Sequence, residues 1–272
     1  MKSIFDLENR LDINNEFEKL VSVFHEDRYA AIYAEDKYHH KEYSTVMEAI
    51  DKMIFLKWKY RDTLMDTDEY LEHIGINYES TLLYGATPIS KTNFLYYLEF
   101  LANMFFLMKE EESIELSKRA IAAIENIPKI LEKMNYELKK LDDKVIIVKR
   151  SSDVDSVLST VPEDIADILL EYNDFRIKDN IEEKKKILKK IDLYIEKNIN
   201  VKSFDKGLDD SIGMIVNKMG VNHPIEEELF KSFRRAQLIE WYDKCFLMMI
   251  HAIRTVEVNK IKKERKELLN NS

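Results

Sequence analysis

Glycine and proline are scarce in this chain, and their scarcity limits the folds that it can adopt. The sequence has 5 glycines and 4 prolines in 272 residues, and no glycine stands between Gly85 and Gly207. Tight turns between strands depend on residues such as glycine, whereas helices need few turns. An all-β sandwich or a parallel α/β fold would need turn glycines throughout this stretch. The composition therefore predicts an all-α fold, a multi-helix bundle.

Apolar residues recur at three- and four-residue intervals through most of the chain, which is typical of amphipathic helices. The segments with this pattern are 7–24, 43–64, 91–109, 111–140, 162–172, 180–197, 204–219 and 234–268. In the segment 180–197 the lysines are expected on the face opposite the apolar stripe, Lys184 among them. In the last segment the stripe is broad, so the middle of that helix should be buried on most sides.

One segment favours a strand over a helix. Lys144-Val-Ile-Ile-Val-Lys149 contains four consecutive β-branched residues, so we expect at most one short strand, near 145–149. A lone strand cannot satisfy its own backbone, so it must pair with another strand or act as an extended connector. A polar stretch follows it. We therefore predict an N-terminal helical domain (1–142), a connector (143–160) and a C-terminal helical domain (161–272).

Several classes of protein lack support in the sequence. The single Cys245 allows no internal disulfide and fits a reducing compartment, and no run reaches about 18 uncharged apolar residues. We predict no membrane span and a cytoplasmic location. The motifs of P-loop nucleotide binding, dinucleotide binding, zinc proteases and serine hydrolases do not occur. No cofactor is predicted.

Metal binding is also unsupported. Glu35, Asp36, His39 and His40 form two pairs spaced four residues apart, but a carboxylate-bridged di-metal bundle needs a second copy of such a motif, which does not occur. We interpret the four as part of a solvated face and predict no metal site.

The charge is distributed unevenly along the chain. The net charge is −9, which argues against a surface built entirely for nucleic acid. Residues 201–272 carry 13 Lys and Arg against 11 Asp and Glu, a net of 13 − 11 = +2. A local anion-binding face in this region is therefore compatible with the sequence.

The segment Asn217-Lys-Met-Gly-Val-Asn-His223 lies near the end of one predicted helix and before the next. An accessible histidine at such a junction can donate or accept a proton near neutral pH. The alternative is that Asn222 or His223 caps a helix opened by Pro224.

The C-terminal third resembles a known family. The run Leu170-Glu-Tyr-Asn-Asp-Phe-Arg through Ile191, then Glu196, then residues 217–223, then Glu240-Trp-Tyr-Asp243 looks like the C-terminal region of bacterial abortive-infection proteins of the AbiJ-like kind. That region resembles the HEPN helical bundle, and the resemblance covers roughly residues 145–268.

The resemblance implies a catalytic site. HEPN ribonucleases cleave RNA without a metal, through an arginine and a histidine four to six residues later, at a site shared by two copies. His223 matches the histidine, and Asn217 stands where the arginine should be. The charge that develops on the phosphate would then need another cation, for which Arg234 or Arg235 is the candidate.

Two hypotheses follow for the function. The leading one is an antiphage or toxin-like protein that forms a homodimer through residues 200–268 and acts as a HEPN-type endoribonuclease on RNA. The other is a non-catalytic helical adaptor or regulatory subunit that dimerises and binds a protein partner. In both, the acidic N-terminal half is expected to contact protein.

Overall fold

The computed structural model describes residues 11–34, 41–76, 88–109, 114–225 and 228–270. Helix accounts for 68% of the described residues, which confirms a mainly helical chain. Two small antiparallel sheets are also present, so the prediction of at most one strand is wrong. The chain divides into two compact units, one ending at Ile147 and the other beginning at Val148.

The N-terminal unit mixes helices with both sheets. Its helices are α1 (Ile13–Val21), α2 (Val46–Met53), α3 (Thr67–His73), α4 (Lys91–Met108) and α5 (Lys118–Lys133). Its strands are β1 (Ala31–Ala34), β2 (Lys41–Ser44), β3 (Ile114–Leu116), β4 (Tyr136–Leu141) and β5 (Lys144–Lys149), the last two residues of which fall in the C-terminal unit. In the first sheet β1 lies between β2 and β3 and is antiparallel to both. The second sheet is the hairpin β4–β5.

Helix α4 is the centre of the N-terminal core. It is apolar on nearly all sides, as expected for a helix that is buried all round. Its fully buried side chains include Phe94, Tyr97, Leu98 and Leu101. Among the described helices, none combines the length and apolarity that crossing a membrane requires.

Two polar residues within α4 are satisfied by the edge of β5. Glu99 accepts a hydrogen bond at 2.8 Å from the backbone N–H of Ile147. The Asn103 side chain donates to the carbonyl of Val145 at 2.7 Å and accepts from its N–H at 2.9 Å. Buried polar groups need such partners, so these side chains attach the hairpin to the core helix.

A π-helical turn, Ser22–Glu26, follows α1 and directs His25 towards α4. The His25 Nε2 lies 3.0 Å from the hydroxyl of Tyr97, and the two rings stack with their centroids 6.0 Å apart. Burial lowers the pKa of His25 from 6.5 to about 4. The folded chain therefore favours the neutral imidazole.

This shift predicts a pH-dependent stability that a His25→Gln variant should lack. Because the pKa is lower in the folded state, the contribution of His25 is fully present above pH 6.5 and is lost as the pH falls towards 4. The whole shift corresponds to about 3 kcal/mol. Urea unfolding at a series of pH values should show that, as the pH falls from 7 to 4, the wild type loses more unfolding free energy than the variant.

Glutamine is the matched replacement because its amide keeps a hydrogen bond to Tyr97 within reach. Subtracting the two unfolding curves removes the contributions of groups that both proteins share, including Asp192, whose pKa burial raises. A difference in unfolding free energy that stays constant from pH 7 to pH 4 would contradict the prediction.

The C-terminal unit is built mainly from helices. They are α6 (Ser152–Leu158), α7 (Glu163–Tyr172), α8 (Ile181–Asn198), α9 (Lys206–Lys218), α10 (Glu228–Lys231) and α11 (Arg235–Asn270). Helix α11 packs against α6, α8 and α9, while α7 packs on α8. The predicted connector 143–160 is structured, since it contains β5 and α6.

Candidate functional site

The junction after α9 is held in one conformation by backbone contacts. Gly220 has φ +90, and a Cβ atom there would lie 2.9 Å from Cγ1 of Ile225. The N–H of Asn222 donates to the carbonyl of Val216 at 2.9 Å, which closes the helix end. The Tyr242 hydroxyl of α11 donates to the carbonyl of Met219 at 2.7 Å.

A side-chain hydrogen bond anchors the same junction to α8. The Asn222 amide donates to the carboxyl of Asp192 at 3.2 Å, and only 6% of Asp192 is exposed. Burial raises the pKa of Asp192, and the bond from Asn222 opposes that shift. The Asn222 Oδ1 is buried and accepts no hydrogen bond from the described part of the chain.

His223 follows this anchored asparagine and is exposed. Its ring makes no hydrogen bond or ion pair with any residue that the structure describes. The next described helix begins at Glu228, and the Asn222 side chain is directed to Asp192 instead. The alternative role of Asn222 as a helix cap is therefore wrong. The imidazole is accessible, on a backbone that the contacts at Met219 and Asn222 hold in place.

The structure does not bring the other predicted site residues into contact with His223. Asn217 is exposed in the last turn of α9, and Arg234 is exposed just before α11. Arg235 is also exposed, and its guanidinium donates to the backbone carbonyl of Asp179 at 2.6 Å. Within the described ranges, no hydrogen bond or ion pair joins any two of Asn217, His223, Arg234 and Arg235.

A second polar cluster, which sequence reasoning missed, joins three helices of the unit. The Lys184 ammonium of α8 donates to the carboxylate of Asp243 at 2.6 Å, and the Tyr172 hydroxyl donates to the same oxygen at 2.9 Å. The ammonium also lies 4.3 Å from the centre of the Tyr172 ring. That ring stacks on Phe246 with centroids 4.0 Å apart. Burial, and then the charge of Asp243, raise the pKa of Tyr172.

The properties of this cluster indicate a structural role, in which it holds helices together. Lys184 is only 3% exposed, and its charge is compensated by Asp243, half of whose side chain is exposed. A buried charge is tolerated when it is paired in this way. Lys184 stands three and four residues before the buried Ile187 and Leu188, so the helical period was the signal that could have revealed it.

The described residues also bear on thiol chemistry and on metal binding. The Cys245 thiol is buried, and burial raises its pKa to about 12, so it is not a nucleophile at neutral pH. Among the described residues no group of three His, Cys, Asp or Glu could hold a metal ion. Glu35, Asp36, His39 and His40 lie outside the described residues.

The chain was compared with models of protein families, with curated proteins and with solved structures, and no significant match was found in any of the three comparisons.

What the junction offers chemically is a single accessible imidazole. It can donate or accept a proton on a bound ligand, as a general acid or base does. A phosphate in the course of cleavage also needs a positive group, and the described residues of this chain place none in contact with His223. A cation from a second copy would complete such a site.

The left-handed backbone at Gly220 leads us to expect opposite effects from two glycine-to-alanine substitutions. Gly220→Ala should destabilise the protein by about 1–2 kcal/mol because the left-handed φ and the close Ile225 side chain both disfavour a Cβ atom. Gly213→Ala, in the middle of α9 with its nearest neighbouring atom at 3.9 Å, should stabilise it by about 0.4–1 kcal/mol. Urea unfolding of both variants checks this, and equal effects would show that the junction is not strained.

Proposed function

We propose that the C-terminal unit is a self-associating helical module, in which two copies meet along the outer face of α11. Supporting this is a stripe on α11 that its own chain leaves exposed. The apolar members of the stripe, with their exposed fractions, are Leu247 (49%), Val258 (41%), Ile261 (57%) and Leu268 (73%). The stripe follows the spacing of a coiled-coil seam, in which steps of four and three residues alternate. Its positions are 247, 251, 254, 258, 261, 265 and 268.

The last part of α11 gives a second argument. Every residue from 258 to 270 is exposed, although these residues are helical. A helix of 13 residues without tertiary packing is marginal in water, since most helical stability in proteins comes from a packed apolar face. Packing against another copy would supply that face.

The polar members of the stripe, two of which are arginines, affect how strong such an association is. His251, Arg254 and Arg265 occupy three of the seven seam positions. A cation at a seam position lowers the stability of a coiled coil while it fixes the register. The strongest contacts are therefore expected around Val258 and Ile261, where two apolar seam positions are adjacent.

RNA cleavage at the dimer is the second candidate, and the exposed imidazole of His223 on an anchored junction favours it. Dimerisation would provide the second copy that a composite site requires, with Arg234 as the cation whose side chain is exposed and engaged with no other described residue. The resemblance to abortive-infection proteins supports an antiphage role in the cytoplasm, with the N-terminal half contacting a protein partner. Without cleavage, the dimer would act as an adaptor.

Hydrogen–deuterium exchange at several protein concentrations tests the association. The amides of residues 258–270 should become better protected as the concentration rises, because dimerisation would stabilise an otherwise marginal helix. The amides of α8 serve as an internal control, since α8 is packed within its own chain. Fast exchange across 258–270 at every concentration would count against the proposal.

A further inference from the structure

The N-terminal unit contains a cavity of about 390 Å³ between α4, α5 and the hairpin β4–β5. Its walls are mainly apolar and come from all three elements. The apolar lining residues are Ala102, Phe105, Phe106, Ile124, Ile127, Pro128, Leu138 and Val145. Cavities that bind small molecules have about this volume and this apolar character.

The wall formed by α5 also contains a polar group, the backbone carbonyl of Ile124. Pro128 lies inside α5 and has no N–H to donate to the carbonyl of Ile124, four residues earlier. Both residues line the cavity. The helix thus lacks one internal hydrogen bond at the wall, where a water can supply the donor.

The charges around the cavity are mainly positive. Lysines 109, 139 and 140 line it together with the single acid Glu125. Lys139 is paired with Glu137 at 3.1 Å, and the Lys140 ammonium lies 5.1 Å from the centre of the Phe106 ring. Lys109 and Lys140 form no ion pair with any described carboxylate. Three glutamates, at positions 110–112, follow Lys109 in the sequence but lie outside the described residues. The excess of positive charge stated here therefore counts only the residues that line the cavity.

We propose that this cavity binds an amphipathic monocarboxylate, with its aliphatic body among the phenylalanines and its carboxylate at Lys109 and Lys140. The apolar lining favours a body without hydrogen-bonding groups over a nucleobase, because a polar edge would be buried without partners there. The lysines favour an anionic head group. This site is independent of the self-association proposed for α11.

Isothermal titration calorimetry of the full chain with decanoate tests the proposal. Decanoate should bind with one site per chain, and decanol should bind at least about tenfold more weakly, since it lacks the charge that the lysines recognise. Adenosine monophosphate is the control, an anion with a polar body, and it should not compete with decanoate for the site. No binding of decanoate, equal binding of decanol, or displacement by the nucleotide would each overturn the proposal.

Two variants locate the site. Ala102→Trp should fill the cavity and abolish binding, while Lys109→Glu combined with Lys140→Glu should weaken it at least about tenfold by reversing the charge at its entrance. Lys133→Glu is the matched control, because it is an exposed lysine of α5 that does not line the cavity. If Ala102→Trp fails to fold, the exposed lysine pair decides the outcome. Unchanged binding in the lysine variant would refute the site.

Discussion

Replacing His223 with alanine is expected to lower the rate of RNA cleavage by about 10²–10⁴-fold, the usual contribution of a general acid or base. The fold should not change, because His223 is exposed and the anchoring contacts belong to Asn222 and Met219. Purified protein incubated with total RNA provides the assay. Cleavage should persist in EDTA, since the imidazole would carry the proton transfers.

Controls separate this loss from general effects. His73→Ala replaces another exposed histidine, in the N-terminal unit, and should leave cleavage unchanged. Asn217→Ala should cost less than His223→Ala, because an uncharged amide orients a phosphate without neutralising it. Arg234→Ala should reduce cleavage if that residue supplies the cation. A wild type that cleaves nothing, or a fully active His223→Ala variant, would leave the dimeric adaptor as the function.

Ile261→Glu is expected to weaken self-association by at least about 100-fold. The side chain lies at the seam of the proposed interface, so each copy would replace an apolar contact there by a carboxylate, whose burial costs several kcal/mol. The fold of the single chain should be unaffected, since 57% of Ile261 is exposed. Sedimentation velocity over a concentration series measures the change.

The matched control for this variant is Asn259→Glu. It adds one negative charge to the same exposed turn of α11, two residues from Ile261 and outside the stripe of seam positions. Its dissociation constant should stay close to that of the wild type. If both variants weaken association equally, the effect is one of net charge and the stripe is not the interface.

The scarcity of glycine predicted the helices well and the strands poorly. The chain turns sharply at Asn135, between α5 and β4, and at Asp142, between β4 and β5, where φ is 66° and 53°. Asparagine and aspartate tolerate this conformation better than other side chains with a Cβ atom, so the hairpin forms without glycine. The strand near 145–149 found its partner in Tyr136–Leu141, which periodicity had assigned to a helix.

The first sheet could not be predicted for a different reason. Its strands have only three or four residues each, which is too short for an alternating pattern to be recognised. The central strand β1 also pairs with β3, which is far away in the sequence: Ile32 lies opposite Glu115 as well as Tyr43. Such pairing depends on tertiary packing, which a single sequence does not display.

The candidate site was predictable in part. The pattern before Gly220 correctly predicted a helix that ends there, because only glycine adopts φ +90 readily. Lys184 was assigned to the solvated face because of its charge, although its position follows the buried stripe. Its partner Asp243 is 59 residues away in the sequence, so the pairing that makes its burial tolerable depends on how α8 and α11 pack.

Multi-angle light scattering of the wild type at micromolar concentration tests the central proposal most directly. The proposed dimer should give twice the chain mass of 32.4 kDa, and Ile261→Glu should return the mass to that of one chain. A wild-type mass of 32.4 kDa throughout the micromolar range would contradict the proposal that α11 joins two copies.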